Sequence, residues 1–130
     1  MPTALSRIRD SARARARSLS LGVSTGAGFM ITYEVSAVVD EALCEKYERY
    51  MTGRHLKDVL ASGCFVSATL ERATPGKYRV LYRAPTKEDV DRYLKEHTAL
   101  LRADFAKHFP TGVRLEREVW TELGVVPAAT

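Results

Sequence analysis

"CFVSATLERATPGKYRVLYRA", residues 64–84, is the stretch on which the fold turns. Pro75 presets its own φ and Gly76 accepts a positive one, so "ATPGKY" reads as a tight turn. After it, Tyr78, Val80 and Tyr82 alternate with Arg79, Leu81 and Arg83, the two-residue period of a strand. Before it, "CFVSATLERAT" reads as the partner strand, beginning at Cys64. A hairpin therefore lies in the middle of the chain.

Upstream of the hairpin, "MITYEVSAVVD" (residues 30–40) also alternates, with Ile31, Tyr33, Val35, Ala37 and Val39 on one face. Asp40 is placed as an N-cap, and Glu41 complements the helix dipole in the first turn. Leu43, Tyr47, Tyr50 and Arg54 then form one helical stripe. Gly53 costs a helix roughly 1 kcal/mol relative to Ala, which predicts a bend or break there. "HLKDVLAS" resumes the helix and Gly63 ends it.

Downstream, Thr86 and Asp89 predict a capping box, with Pro85 just outside. One helix is expected over "KEDVDRYLKEHTALLRADFAKHF" (residues 87–109), ending before Pro110 and Gly112. Its apolar face carries Val90, Leu94, Leu101 and Phe105, widened by Tyr93 and Leu100. "VRLEREVWTEL" (residues 113–123) alternates as a fourth strand, and residues 124–130 read as a loose end.

Strand–helix–strand twice over predicts a ferredoxin-like βαββαβ sandwich of the α+β class: a four-stranded antiparallel sheet with two helices on one face. The other face would present Glu34, Ser36, Ser67, Thr69, Arg79, Leu81, Arg83, Glu116, Glu118 and Trp120, with Val38 and Phe65 adding apolar surface. Such a mixed face predicts a homodimer, two sheets face to face with acids opposite arginines, as in a dimeric α/β barrel. Simple solvation of a polar face is the alternative.

Charge is unevenly placed. The net +4 comes from Arg7, Arg9, Arg13, Arg15 and Arg17 against Asp10, leaving residues 30–130 with 15 basic and 15 acidic side chains. The folded part thus lacks the basic footprint of a nucleic-acid binder. "KYRVLYRA" also departs from the strand signature of RNA-recognition folds. Residues 1–29 are open to three readings: an over-extended start with Met30 as initiator, an organellar targeting segment, or a disordered basic arm. All three put the start of the domain at Met30 and its end near Leu123. No run approaches the roughly 20 apolar residues that span a bilayer. Cys44 and Cys64, far apart and outside any C-x-x-C, read as reduced thiols and point to the cytoplasm.

"HLKDVLASGCFVS" and "YLKEHTALLRADFAKHFP", with "MITYEVSAVVDEAL" ahead of them, carry a resemblance. So do the patterns H-x-x-x-V-L-x-x-G from His55 to Gly63 and E-H-x-x-x-L-R at Glu96, His97, Leu101 and Arg102. From Met30 to about Leu123 the chain resembles a small bacterial family known as domain of unknown function 4286. The resemblance implies a dimeric α/β barrel of ferredoxin-like topology, and it assigns no residue a role. More distant relatives by fold are cofactor-independent monooxygenases, polyketide cyclases, lactone isomerases and ligand-sensing domains, a fold analogy only.

Chemistry-bearing residues are few. His97 and His108, eleven positions apart, would share one side of a continuous helix but stand about 16 Å apart at 1.5 Å per residue, too far for one metal. With no H-x-x-x-H or Cys/His cluster, no metal and no cofactor is expected. "STGAG" lacks the Lys and Ser/Thr of a phosphate loop. Single groups remain. His97, Tyr33 and Tyr82 on inward faces can line an apolar cleft, His97 as acid or base, or be ordinary core packing. His55 beside Gly53 is placed near a cleft mouth. Arg54 can receive a carboxylate ligand or join an internal ion pair. Cys64 shows no partner that would activate it. The leading expectation is a homodimer binding a small apolar or aromatic metabolite between sheet and helices, compatible with cofactor-independent catalysis. The alternative is a non-enzymatic interaction module using the open sheet face.

Overall fold

The computed structural model describes residues 29–129, and the expectations for the Arg-rich segment before them lie outside the described residues. Strands β1 (Ile31–Val39), β2 (Ser67–Thr74), β3 (Lys77–Ala84) and β4 (Val113–Thr121) form one antiparallel sheet in the order β2-β3-β1-β4. The first helical segment, α1, is composite: a 3₁₀ turn at Glu41–Leu43, an α-helix over Cys44–Tyr50, a π-turn at Met51–His55 and an α-helix over Leu56–Leu60. Two helices, α2 (Lys87–Glu96) and α3 (Thr98–His108), follow the hairpin. This is the ferredoxin-like α+β sandwich.

Alternation decides which face is covered. Ile31, Tyr33, Ala37 and Val39 of β1 are buried with Tyr78, Val80, Tyr82 and Ala84 of β3, against Tyr47, Val59, Val90 and Tyr93 from the helices. Pairing of Tyr33 with Tyr82 and of Ala37 with Tyr78 brings these side chains to one level across the sheet. Gly76 makes the hairpin turn at φ +86, and a Cβ there would come within 2.9 Å of the Val39 carbonyl oxygen. Only glycine meets both demands. At the start of α2 the capping box forms: Thr86 Oγ1 accepts from the Asp89 amide, and Asp89 Oδ2 accepts from the Thr86 amide, each at 3.2 Å. Replacing such an N-cap by Ala costs about 1 kcal/mol.

Two expectations need correction. The single helix over residues 87–109 is two helices, divided at His97, whose φ −121 and ψ −24 leave the helical region. Thr98 Oγ1 donates to the Leu94 carbonyl at 2.7 Å, the back-bonding by which Thr bends a helix. β2 begins at Ser67 rather than Cys64, so strand parity does not reach Phe65. Phe65 is buried on the helix side, its ring 5.0 Å from that of Tyr93, and not on the open face. On the open face two arginines pair within the chain, Arg79 with Glu71 at 2.6 Å and Arg83 with Glu122 at 3.2 Å. Trp120 donates to Glu34 at 2.6 Å. Exposed pairs of this kind contribute little stability, and they leave Val38 and Trp120 as the large apolar groups exposed on that face. No helix among the described residues is long and apolar enough to cross a membrane.

Candidate functional site

Between the sheet and the helices lies a cavity of about 270 Å³. Its floor is Tyr33 and Val35 of β1, Tyr82 of β3, and Val113, Leu115 and Arg117 of β4. One wall is α1, through Tyr47, Met51 and His55; the other is α3, from Thr98 to Phe105, with Tyr93 and Phe109 at its two ends.

The π-turn explains what α1 contributes. Its i→i+5 hydrogen bonding takes one more residue into the turn than an α-helix does. The position stacked above Tyr50 is therefore His55 rather than Arg54. The rings of Tyr50 and His55 are stacked with centroids 5.5 Å apart, and His55 packs edge-on against Phe105 at 5.8 Å. Arg54, expected on the inward stripe, is rotated to the surface. There it donates to Asp104 Oδ1 at 2.9 Å and lies 3.8 Å from Asp58.

A short polar chain backs His55. Tyr50 Oη donates to Asp104 Oδ2 at 2.6 Å. That bond, followed by the charges of Arg54 and His108, holds the Asp104 carboxyl below the usual carboxylate range. With its proton committed to Asp104, the Tyr50 oxygen can only accept from His55 Nδ1, a long contact at 3.5 Å. The preferred tautomer thus carries its hydrogen on Nδ1 and a free lone pair on Nε2. Burial lowers the His55 pKa, since the imidazolium would be poorly solvated. A neutral imidazole with a free Nε2 can accept a proton near neutral pH.

The other sequence-derived candidates divide. Tyr33 and Tyr82 lie side by side on the cavity floor, ring centroids 5.9 Å apart. Burial pushes the Tyr82 phenol up, so it stays protonated. His97 lies outside the cavity lining: its ring stacks on Tyr93 at 6.2 Å, and Arg92 Nη1 approaches its Nε2 at 3.4 Å. The helix break removes the shared face expected of His97 and His108. His108 sits instead against Tyr50, at 4.6 Å between rings. Among the described residues no three His, Cys, Asp or Glu side chains converge as metal ligands would.

Sequence reasoning passed over Tyr47, Tyr93, Arg102 and Arg117 as site residues. A signal existed for Arg117, a lone cation at an inward-facing position of β4 between Leu115 and Val119. The hydroxyls of Tyr33, Tyr47, Tyr82 and Tyr93 share one property. None makes a hydrogen bond within the described protein, although all four rings line the cavity.

Fold and site together define a small ferredoxin-like α+β domain with an aromatic cavity between sheet and helices. The chain belongs to the family described as Domain of unknown function (DUF4286), whose model matches residues 30–123. No curated protein matches it. Among solved structures it is similar to a monooxygenase from the gene ActVA-Orf6 of Streptomyces coelicolor, in complex with the ligand nanaomycin D. That likeness has 18% identity and a TM-score of 0.63, over 78% of this chain and 94% of that one. It is similar also to SnoaB, a cofactor-independent oxygenase from Streptomyces nogalater, with 18% identity and a TM-score of 0.57 over 77% of this chain and 99% of that one. A third likeness is to the NE2512 protein of unknown function from Nitrosomonas europaea, with 13% identity and a TM-score of 0.54 over 78% and 97% of the two chains. At these identities the likeness is one of fold.

Proposed function

We propose that this protein binds a small apolar or aromatic metabolite in the cavity between sheet and helices, as a cytoplasmic homodimer, and that His55 can serve there as proton acceptor in a cofactor-independent reaction. The observation that carries the reading is the cavity itself, lined by Phe105, Phe109 and four tyrosines whose hydroxyls bond to no group among the described residues. Ligand sites have this composition, mostly apolar with a few convergent polar groups. An apolar cavity of about 150 Å³ accepts benzene, so about 270 Å³ suits one or two fused rings. Tyr33, Tyr82 and His55 are the contacts carried from the sequence; Arg54 supports the site from outside by holding Asp104. The monooxygenase in complex with nanaomycin D and the cofactor-independent oxygenase SnoaB, both of the same fold, agree with this reading.

A second reading, a non-enzymatic interaction module, draws on the open sheet face, where Trp120 is 52% and Val38 44% exposed. Native mass spectrometry of the full chain, purified from its own cells, separates the two. A dimer carrying extra mass that departs on denaturation is the expected result. A bare monomer that takes up no small aromatic probe would sink the cavity reading and move the weight to the sheet face.

A further inference from the structure

Nine arginines lie among the described residues, and six of them pair with an acid. The remaining three are Arg102, Arg114 and Arg117, and two of these, Arg102 and Arg117, line the cavity. Their placement is not that of ordinary surface charge. Arg117 occupies an inward register position of β4, opposite Val35, where its neighbours on the same face are Leu115 and Val119. Arg102 faces the same space from α3, between Thr98 and Phe105 on the cavity side. Both guanidiniums lie within electrostatic range of Tyr93. Burial raises the Tyr93 phenol, while Arg102 and Arg117 both act on it in the opposite direction. Among the described residues no Asp, Glu or Lys lines the cavity. The site therefore has an apolar aromatic body and a positive margin with no acid of its own to neutralise it.

A guanidinium offers a planar fork of donors that matches a carboxylate, and two such forks on one margin hold a planar anion in a set orientation. Resting on the cavity reading above, we propose that the ligand is a small aromatic carboxylate, its rings among Tyr33, Tyr47, Tyr82 and Tyr93 and its carboxylate held by Arg102 and Arg117. The anionic end then lies at the solvent-facing margin, where it keeps part of its hydration. The ring is delivered to the apolar interior beside His55. Selection is by charge at the rim and by thickness within.

The test uses two isosteric probes, 2-naphthoate and 2-naphthamide, titrated into the full chain and followed by calorimetry. The naphthoate should bind about tenfold more tightly, an advantage of about 1.4 kcal/mol, and that advantage should shrink as salt screens the exposed guanidiniums. The double variant R102Q/R117Q should bring naphthoate down to about the level of naphthamide, whose own binding changes far less. Both side chains are exposed, so the variant should fold; circular dichroism checks this, and R102Q alone serves as the milder variant. Equal binding of the two probes, or a naphthoate preference that survives the double substitution, would overturn the anion assignment and leave the cavity reading intact. Binding of neither probe would overturn both.

Discussion

Replacing Tyr82 by phenylalanine asks directly whether the aromatic floor is packing or site. Tyr82 is 2% exposed, and its hydroxyl bonds to no protein group among the described residues. A buried tyrosine whose hydroxyl is satisfied within a core contributes about 0.5–1.5 kcal/mol through that bond. Tyr82 has no such bond to lose. Its ring contacts with Tyr33 and Phe65, at 5.9 and 5.3 Å, survive the substitution because only the oxygen is removed. The expected change in unfolding free energy is under about 0.5 kcal/mol, which for a domain of this size is a shift in Tm of under about 4 °C. Urea denaturation of the full chain measures it. Tyr50→Phe is the control, because the Tyr50 hydroxyl is committed to Asp104 at 2.6 Å; its midpoint should fall clearly below that of Tyr82→Phe. A loss of more than about 1 kcal/mol in Tyr82→Phe would mean that its hydroxyl has a protein partner. The reasoning that makes the floor ligand-facing would then fail.

Three further outcomes are expected. His55, its pKa lowered by burial, should titrate in NMR spectra below the usual His value of about 6.5. The folded state then binds fewer protons than the unfolded one, so this group costs stability as pH falls below that value, and His55→Gln should flatten the slope. Asp104, lowered chiefly by its bond from Tyr50, adds stability that is complete above about pH 4 and lost as pH falls through its folded value. Acid denaturation of Asp104→Asn should lack that limb, and an unchanged acid curve would contradict the assigned bond. Gly53 has nothing within 4 Å of where a Cβ would stand, so Gly53→Ala should stabilise by up to about 1 kcal/mol in thermal melts; a loss would show that the π-turn needs glycine.

How much of this was legible depended on the range of the forces involved. The hairpin turn at Pro75-Gly76, the Thr86–Asp89 capping box and the alternation of β1 and β3 are local effects, written in residues within a few positions of one another. They sufficed to order the strands. The π-turn was half visible: Gly53 marked an irregularity, but a glycine does not say whether a helix will bend, break or widen. That choice decided whether Arg54 or His55 faced inward. The division at His97 was hidden in Thr98, whose hydroxyl chose the Leu94 carbonyl over solvent, a competition that periodicity does not register. Least legible was the cavity. It is formed by what β1, β3, β4, α1 and α3 leave unfilled between them, and no single segment encodes a space.

The break at His97 also has a mechanical meaning. A continuous helix would act as one lever, and any movement of its far end would disturb the capping box and the buried Val90 and Tyr93 near its start. Divided, the lever has a joint. α2 is held by four buried side chains, while α3 has one, Thr98, and meets open space along part of its inner side. Its amides should exchange with solvent through a local opening of lower free energy than the one that releases α2. Passage of the proposed ligand would then need only the loosening of one short rod, while the sandwich stays closed.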